Sequence, residues 1–573
     1  MASAEYNWEQ LNELIDGDIS KKELVDLLPL LKVDVDEVTE DSIIVDITPD
    51  RPDFFSEEGV SRMINFYKFS KSQKEYKINN SNYEVNVDLS NSKCRPFTVA
   101  SVIKGIKLDE NKLKTIIRVQ EKLHTTLGRN REKVAIGIYP KQKINFPISF
   151  ESRRPKDISF QPLESNNFMT GNQILSEHEA GKKYSHLLSD FKKYPIFVDD
   201  SNNILSMPPI INSEYTGRVE SGKNDLFIEC SGFDLESLNL ALNLLVTMFY
   251  DMGGEIFDVK INYPKNYFKN LNFDSSKFSF KNNFNDLKKE ISFNSPDLSF
   301  SEIDIDFKLI NKLLGNSFTK KEIKSYLKQM CFIIKGDKAL IPPYRSDILH
   351  NVDLAEEVSI AYGFDNIVPE ELLVPGFGKI DSFQKFKSKV NDLMISLNLQ
   401  PTKNYSIDNI KNQEKFLKES TNLVKLSNPV NKEFNVMRGS LIPQQFEFLE
   451  YNKKREYPQS FFEIGEIFKL IKKNPFKHKE IQKLSITKAG NVTLTDIKQI
   501  VNSLFDSFDL CVSYKEESKP FLINGRCAKI ILNEKAIGFL GEVHPKFLVD
   551  YDLNNSVVTS ELNLSLIYNQ IFN

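Results

Sequence analysis

The feature that most constrains the fold of this chain is a pattern that occurs twice, in segments far apart. The segment "ISKKELVDLL" at 19–28 matches "FTKKEIKSYL" at 318–327, and "PDRPD" at 49–53 matches "PYRSD" at 343–347. Each copy reads as a helix, an extended segment, a Pro turn and a second helix. Self-similarity of this kind predicts two copies of one helix–strand–turn–helix module, with chance likeness between short Lys/Glu-rich segments as the alternative.

The length of the chain requires several domains. It has 573 residues, whereas a single hydrophobic core rarely grows beyond about 250–300 residues. The net charge of −4 gives no global basic field, so any RNA contact has to come from local patches. No apolar run approaches the roughly 20 residues that span a bilayer, and the N-terminus carries no signal-peptide pattern. We expect a cytoplasmic protein with no membrane segment.

Changes in composition along the chain predict an α+β multidomain fold. Within it, "KVAIGIYP" and "DLFIEC" have the continuous apolar character of buried strands. Residues 234–253 predict an amphipathic helix that Asp234 caps and Gly253 ends. The expected parts are an N-terminal module at 1–82, a mixed α/β domain at 83–265, a connector at 266–291, the second module at 292–371, and a further domain at 380–573.

Four carboxylates gather in the second module, at Asp347, Asp353, Glu356 and Glu357. Asp353 stands where a helix N-cap belongs, with Glu356 three residues later as in a capping box. Capping does not account for Asp347, which precedes the helix by several residues. Clustered carboxylates repel one another unless a cation or a basic partner compensates them, and hard oxygen ligands favour Mg²⁺. The residues therefore leave two hypotheses: a helix start, and a magnesium site built from all four side chains.

The first copy of the module keeps only part of this acidic set. Asp53, Glu57 and Glu58 align with three of the four carboxylates, but Phe54 falls at the place of Asp353. If four oxygen ligands make the site, only the second copy has all of them.

A basic cluster lies just before the strand "KVAIGIYP". Arg129, Arg131 and Lys133 surround a Gly-containing turn within residues 123–139. Such a cluster is able to hold a phosphate or a carboxylate. A solvated charged turn explains the same residues equally well.

Several phrases, taken in order, resemble the β-subunit family of phenylalanine–tRNA ligase in its archaeal-type form. They run from residue 7 to about residue 468, and "LGEVHP" in the tail matches more loosely: "NWEQLNELI", "ITPDRPDFFSEEG", "LGRNREKVAIGIY", "SMPPIINSEYT", "DLFIECSGFD", "RSDILHNVDLAEEVSIAYGFDNIVPE" and "FFEIGEIF". The resemblance implies a heterotetramer of two α and two β chains that joins phenylalanine to tRNA(Phe) with ATP, with the aminoacylation site on the α subunit. It also implies a magnesium ion at Asp347, Asp353, Glu356 and Glu357, shared with the α subunit.

The resemblance further implies that residues 83–265 form an editing domain, which hydrolyses tyrosine wrongly attached to the tRNA. A pocket that accepts tyrosine and refuses phenylalanine has to hydrogen-bond the phenol. The candidates by motif match are Phe197, Ser206, Asn212, Glu229 and Ser231, together with the basic cluster of Arg129, Arg131 and Lys133. The family often has an aliphatic residue in place of Phe197 and Thr in place of Ser231, which puts the shape of the pocket in question.

Two structural alternatives remain for this pocket. Glu229 and Ser231 lie two apart on a predicted strand, so they share one face. Glu229 could instead pair with Arg218, and Asn212 could brace a turn.

The resemblance implies that residues 380–573 form an antiparallel-sheet domain like that of class II synthetases but without catalytic motifs. The tail offers Gly538 and Gly541 but places Glu542 where ATP would require a cation. The main alternative function is a non-catalytic, tRNA-binding scaffold subunit that has lost editing. A free-standing hydrolase is a third possibility, which the long synthetase-like tail argues against.

Overall fold

The structure of the chain is a computed structural model. It describes residues 2–71, 73, 75–271, 279, 281–284, 286–369, 371, 376–417, 422–471 and 475–572. The chain forms two compact units, residues 1–371 and residues 372–573. Within the described ranges, no helix is both long enough and apolar enough to cross a membrane.

The N-terminal module is a three-stranded antiparallel sheet covered by helices. Its strand order is first–third–second, so the strand that comes last in the sequence lies in the middle of the sheet. The side chains of Asn7, Ser20 and Ser56 each accept a hydrogen bond from a backbone N–H in the first turn of a helix, which fixes where the three helices begin. The elements are β1 (Ala2–Asn7), α1 (Trp8–Glu13), α2 (Lys21–Leu27), β2 (Val33–Val38), β3 (Ser42–Ile47) and α3 (Glu57–Phe69).

The middle region contains a five-stranded and a seven-stranded sheet. Its elements are β4 (Ile78–Asn79), β5 (Glu84–Val87), β6 (Phe97–Leu108), α4 (Glu110–Thr125), β7 (Val134–Pro140), β8 (Ile148–Arg153), β9 (Ser159–Phe160), β10 (Met169–Thr170), α5 (Gly171–Glu177), α6 (Glu179–Tyr184), β11 (Tyr194–Val198), β12 (Ile204–Met207), β13 (Ile211–Asn212), α7 (Glu214–Gly217), β14 (Gly222–Gly232), α8 (Leu235–Asp251), β15 (Glu255–Phe257), β16 (Val259–Tyr263) and β17 (Ile291–Ser295). The five-stranded sheet runs β4–β15–β6–β14–β7, and the seven-stranded sheet runs β13–β12–β11–β8–β5–β16–β17.

Local predictions in the middle region are confirmed, but its edges differ from those expected. The two predicted strands are β7 and part of β14, and the predicted helix is α8, with Asp234 at its N-cap. The sheets, however, recruit β4 from before residue 83 and β17 from after residue 265. The edges of the two sheets are set by pairing between strands that are distant in sequence. Local composition does not predict such pairing. Of the expected connector at 266–291, residues 272–278, 280 and 285 lie outside the described part of the chain.

The second module has the same succession of strands and helices as the first. Its three-stranded sheet also has the order first–third–second. Thr319 and Glu322 form a capping box that starts its second helix. The elements are β18 (Ser301–Asp304), α9 (Phe307–Leu314), α10 (Lys320–Gln329), β19 (Ile333–Lys335), β20 (Lys338–Ile341) and α11 (Asn351–Tyr362).

The second unit is built on a seven-stranded sheet with helices on both faces. Phe461 and Phe462 are neighbours on one strand and therefore point to opposite faces, where each joins a different apolar core. The elements are α12 (Ser382–Ser396), β21 (Gln400–Pro401), β22 (Ile407–Asp408), α13 (Ile410–Phe416), β23 (Val436–Met437), α14 (Ile442–Asn452), β24 (Gln459–Leu470), β25 (His478–Gly490), α15 (Leu494–Asp506), β26 (Ser513–Glu516), β27 (Leu522–Leu532), β28 (Lys535–Val543), α16 (Pro545–Asp550), β29 (Ser556–Asn563) and α17 (Leu564–Phe572). The sheet runs β21–β24–β25–β29–β28–β27–β26, and all its pairings are antiparallel except that of β21 with β24.

Candidate functional site

A buried polar site lies where strands β7 and β14 meet strands β12 and β13. Glu229 on β14 is directly opposite Gly137 on β7, and Tyr139 lies two residues further along β7 on the same face. The Tyr139 hydroxyl lies 2.8 Å from Ser206 Oγ, 3.1 Å from Glu229 Oε1 and 3.5 Å from Asn212 Oδ1. Three residues predicted for the editing pocket therefore converge on one point, and that point is a phenol hydroxyl of the chain itself.

Gly137 gives this arrangement its space. A Cβ atom built at this position would overlap both the Tyr139 hydroxyl and the Glu229 carboxylate. A side chain here would force the phenol and the carboxyl apart, so glycine is required by close approach rather than by an unusual backbone angle.

Burial controls the protonation of the site. Glu229 is 2% exposed, and burial raises the pKa of its carboxyl from 4.5 to about 8. Its Oε2 atom accepts no hydrogen bond from the described residues. Burial and the Glu229 carboxylate also raise the pKa of Tyr139 well above 10. Near neutral pH, Glu229 and Tyr139 are therefore both mainly protonated and uncharged. The second carboxyl oxygen of Glu229 has no hydrogen-bond partner among the described residues.

Phe197 and Ser231 border the site in different ways. Phe197 is the cross-strand neighbour of Ser206 and stacks on Phe150 with ring centroids 4.2 Å apart, which makes a flat apolar wall. Ser231 shares the face of Glu229, but its hydroxyl accepts a hydrogen bond of 3.0 Å from Nε of Arg95. Arg95 is buried, and desolvation lowers its pKa to about 10. The Ser231 hydroxyl is thus already engaged, and Arg95 brings positive charge towards the acidic site.

One structural alternative for Glu229 is wrong. Arg218 pairs with Glu214, with Nε 2.7 Å from Oε1, and Glu229 bonds to Tyr139 instead. Sequence reasoning missed Tyr139, Gly137 and Arg95. The period of two along β7 places Gly137 and Tyr139 on one face, but which strand lies opposite depends on a pairing that the local pattern does not contain.

The three residues of the basic cluster have separate partners, and Arg131 Nη1 donates to the Ile210 carbonyl at 2.9 Å, between Ser206 and Asn212. Arg131 donates to Glu121, with Nη2 2.7 Å from Oε1, and Lys133 forms an ion pair of 2.9 Å with Asp234. Arg129 is exposed in a turn with φ +48°. Because the three side chains contact different partners, they do not form a shared anion-binding site in this structure.

The four carboxylates of the second module also have individual partners. Both oxygens of Asp347 accept hydrogen bonds from Arg345, at 2.8 and 2.7 Å, and Glu357 Oε1 lies 2.9 Å from Arg345 Nη2. Burial raises the pKa of Asp347, but the charge and hydrogen bonds of Arg345 and the charge of Arg51 together outweigh it, so the pKa lies below its usual value. Asp353 Oδ2 accepts from two backbone N–H groups ahead of α11, at 2.7 Å each. Since α11 begins at Asn351, Asp353 is in the first turn, and its prediction as the N-cap residue is wrong.

A lysine of the first module also pairs with this cluster. Lys32 Nζ lies 3.1 Å from Glu356, 3.7 Å from Glu357 and 3.6 Å from Asp50. Among the described residues, no group of three or more Asp, Glu, His or Cys side chains is arranged to hold a metal ion. In this arrangement Arg345 and Lys32 supply part of the charge that compensates the four carboxylates, and the magnesium site expected from the resemblance stays a prediction.

The equivalent place in the first module repeats the arginine–aspartate pair. Arg51 donates to both oxygens of Asp53, at 2.9 and 2.8 Å, as Arg345 does to Asp347. Glu57 is bound by Arg118 and by Thr115 Oγ1, the latter at 3.0 Å. The two-residue spacing of Arg and Asp thus gives the same bidentate geometry in both copies.

Two ion pairs stand out in the second unit. Arg438 and Glu463, whose side chains are both fully buried, form an ion pair of 2.6 Å. Glu542 follows Gly541 near the end of β28. Its Oε2 atom lies 3.0 Å from Nη1 of Arg526. In both pairs each charge has a partner within the second unit.

Comparisons with known proteins agree along the chain. The model of the phenylalanyl tRNA synthetase beta chain CLM domain matches residues 373–564, and that of the tRNA synthetase B5 domain matches residues 303–364. The phenylalanine–tRNA ligase beta subunit of Pyrococcus furiosus is 34% identical over 571 residues, covering 97% of this chain and 98% of the relative. That of Archaeoglobus fulgidus is 33% identical over 570 residues, covering 98% of each chain.

A solved structure supports the same relationship. An N-terminal fragment of the phenylalanyl-tRNA synthetase beta subunit from Pyrococcus horikoshii has a TM-score of 0.56 and 34% sequence identity, and the match covers 63% of this chain and 99% of the fragment. The full-length relatives, the two family models and this fragment agree, and the chain belongs to the phenylalanine–tRNA ligase beta-subunit family.

Proposed function

We propose that this chain works in an α₂β₂ complex that joins phenylalanine to tRNA(Phe) with ATP in the cytoplasm, and that the aminoacylation site lies on the α subunit. Full-length similarity to beta subunits of this ligase supports the assignment. In the second unit, Glu542 stands where ATP would require a cation, and it pairs with Arg526. The two modules, whose strand and helix orders agree, are proposed copies of one unit.

Within that complex, the middle region is proposed to hydrolyse Tyr-tRNA. The observation that carries this proposal is the contact of one phenol hydroxyl with Ser206, Glu229 and Asn212. These groups therefore bind a phenol when one is presented to them. Phenylalanine has no hydroxyl and would leave buried polar atoms unpaired, which is the kind of difference that discriminates between the two amino acids by about 10⁴-fold or more.

A second candidate is supported by the same contact. The phenol that occupies these groups belongs to Tyr139, which is fully buried. A scaffold subunit that has lost editing would show a pocket filled in this way. The two candidates differ in whether a substrate tyrosine is able to reach Glu229.

The deciding experiment uses the assembled ligase and tRNA charged with tyrosine. If the region edits, the complex hydrolyses Tyr-tRNA faster than buffer does, and Glu229→Gln or Asn212→Ala slows hydrolysis while phenylalanine charging stays nearly unchanged. Phe-tRNA serves as the matched control substrate. Hydrolysis at the rate of buffer alone would identify the scaffold, and equal hydrolysis by parent and variants would place editing elsewhere.

Magnesium remains a proposal for the assembled enzyme only. An ion shared with the α subunit at Asp347 and Glu357 would have to take the place of charge now supplied by Arg345 and Lys32. Asp347→Ala or Glu357→Ala is expected to weaken Mg²⁺-dependent association with the α subunit if the ion binds there. A response to Mg²⁺ identical to that of the parent would leave these residues with an ion-pair role.

A further inference from the structure

Tyr139 is a buried tyrosine whose hydroxyl meets several side chains at once, whereas the hydroxyls of Tyr551 and Tyr344 each donate to one side-chain oxygen, of Asn412 and Gln73. The hydroxyls of Tyr6 and Tyr267 donate to the backbone carbonyls of Phe54 and Pro96, and that of Tyr263 bonds to the backbone of Thr98. One hydrogen-bond partner is enough to satisfy a structural tyrosine in a packed core.

The Tyr139 hydroxyl instead meets three side chains from three different strands. Ser206 comes from β12, Asn212 from β13 and Glu229 from β14, so both sheets contribute. Glu229 brings a second oxygen that has no hydrogen-bond partner among the described residues. A core that needed only to satisfy one hydroxyl would not require a buried carboxyl, because burying an under-used polar group is unfavourable.

The aromatic surroundings complete a slot for a phenol ring. Phe227, the cross-strand neighbour of Tyr139, stacks against it with ring centroids 5.8 Å apart. Gly137 leaves open the space in which the hydroxyl and the carboxyl meet. Phe227 thus packs against the phenol ring, and Gly137 gives space to the Tyr139 hydroxyl and the Glu229 carboxyl.

We propose that Tyr139 is the internal occupant of a phenol-binding subsite, and that an incoming tyrosine has to displace Tyr139 to reach Ser206 and Glu229. The inference rests on the proposed editing function for the identity of the incoming phenol, but not for the existence of the subsite. Tyr139 is then a specificity-determining residue that holds the subsite closed. The apparent affinity for a substrate tyrosine is the intrinsic affinity multiplied by the fraction of molecules in which Tyr139 has left the subsite.

The test empties the subsite and offers it a free phenol. The Tyr139→Ala variant of the full chain, purified with its ligase partner, is titrated with p-cresol and with toluene in a calorimeter. The two probes have nearly the same size and differ by one hydroxyl. We expect p-cresol to bind Tyr139→Ala at least tenfold more tightly than toluene does, and neither probe to bind the parent.

A matched control supplies a cavity of the opposite chemistry. Phe249 is fully buried in the same apolar core, so Phe249→Ala opens a cavity with no carboxyl or hydroxyl partner assigned to the lost side chain. Apolar cavities stay dry and bind apolar rings. This variant is expected to prefer toluene, which shows that the p-cresol preference of Tyr139→Ala is not a property of cavities in general.

Folding of the variant does not limit the test. If Tyr139→Ala does not fold alone, its refolding yield is measured with each probe present, and p-cresol but not toluene should restore it. Equal binding or equal restoration by the two probes, or no effect of either, would overturn the inference.

The outcome is separable from that of the proposed function. If Tyr139→Ala prefers p-cresol but neither parent nor variant ligase hydrolyses Tyr-tRNA, the editing proposal fails and the subsite stands. If the parent ligase edits while Tyr139→Ala shows no preference, editing stands and the subsite inference fails. A rise in Tyr-tRNA hydrolysis on Tyr139→Ala would support both.

Discussion

Replacing Glu229 by glutamine should change how the stability of the first unit depends on pH. The carboxyl has a pKa of about 8 in the folded chain against an ordinary value of 4.5. Between these values the folded chain holds a proton that the unfolded chain has released. The unfolded state therefore binds fewer protons, and the free energy of unfolding falls as pH rises through this window. Glutamine does not titrate, so the free energy of unfolding of the variant does not fall in this way as pH rises.

The magnitude follows from the shift. One pKa unit corresponds to about 1.4 kcal/mol, so the complete effect has an upper limit of about 5 kcal/mol. From pH 5 to pH 8.5, we expect the stability of the parent to fall by about 4 kcal/mol relative to Glu229→Gln. At pH 5 the two proteins should be nearly equal in this respect, because both carry an uncharged group at this position.

The assay uses the single tryptophan of the chain. Trp8 begins helix α1 in the first unit, the unit that also contains Glu229, so its fluorescence during urea unfolding reports on that unit. Ser231→Ala is the matched control, because it alters the same strand without removing a titratable group. Parallel stability curves for the parent and Glu229→Gln across this pH range would refute the raised pKa and the burial argument behind it.

Three further outcomes are expected from the same structure. Arg345→Met should destabilise the first unit by about 3–5 kcal/mol, because Asp347 and Glu357 would remain buried without their shared cation; a loss below 1 kcal/mol by tryptophan fluorescence would contradict this. Gly137→Ala should destabilise the unit by about 1–3 kcal/mol, because the new methyl group overlaps the Tyr139 hydroxyl; the same unfolding assay would expose an error if the variant matched the parent. Adding EDTA to the chain without its α partner should leave its unfolding unchanged, since Lys32 and Arg345 already pair with these carboxylates; a shift in the midpoint that Mg²⁺ reverses would disprove this.

Local signals in the sequence predict several of the elements correctly, although the expected N-cap at Asp353 is wrong. Buried strands such as β7 and β14 appear as continuous apolar runs, and helix starts follow from capping residues such as Thr319. The likeness between the two modules was visible because the spacing of Arg51 to Asp53, and of Arg345 to Asp347, lies within a few residues. Interactions of this range depend on the backbone geometry of one segment, which the local sequence encodes.

The tertiary structure alone decided which charges and hydroxyls meet. Lys32 reaches Glu356 from a segment more than 300 residues earlier, and it thereby takes a role that the sequence left open to a metal ion. Tyr139 meets Glu229 because two strands pair in one particular register, and it meets Ser206 because a second sheet packs against them. A hydrogen bond or an ion pair needs atoms within about 3 to 4 Å, and only the packed chain brings such distant residues to that distance.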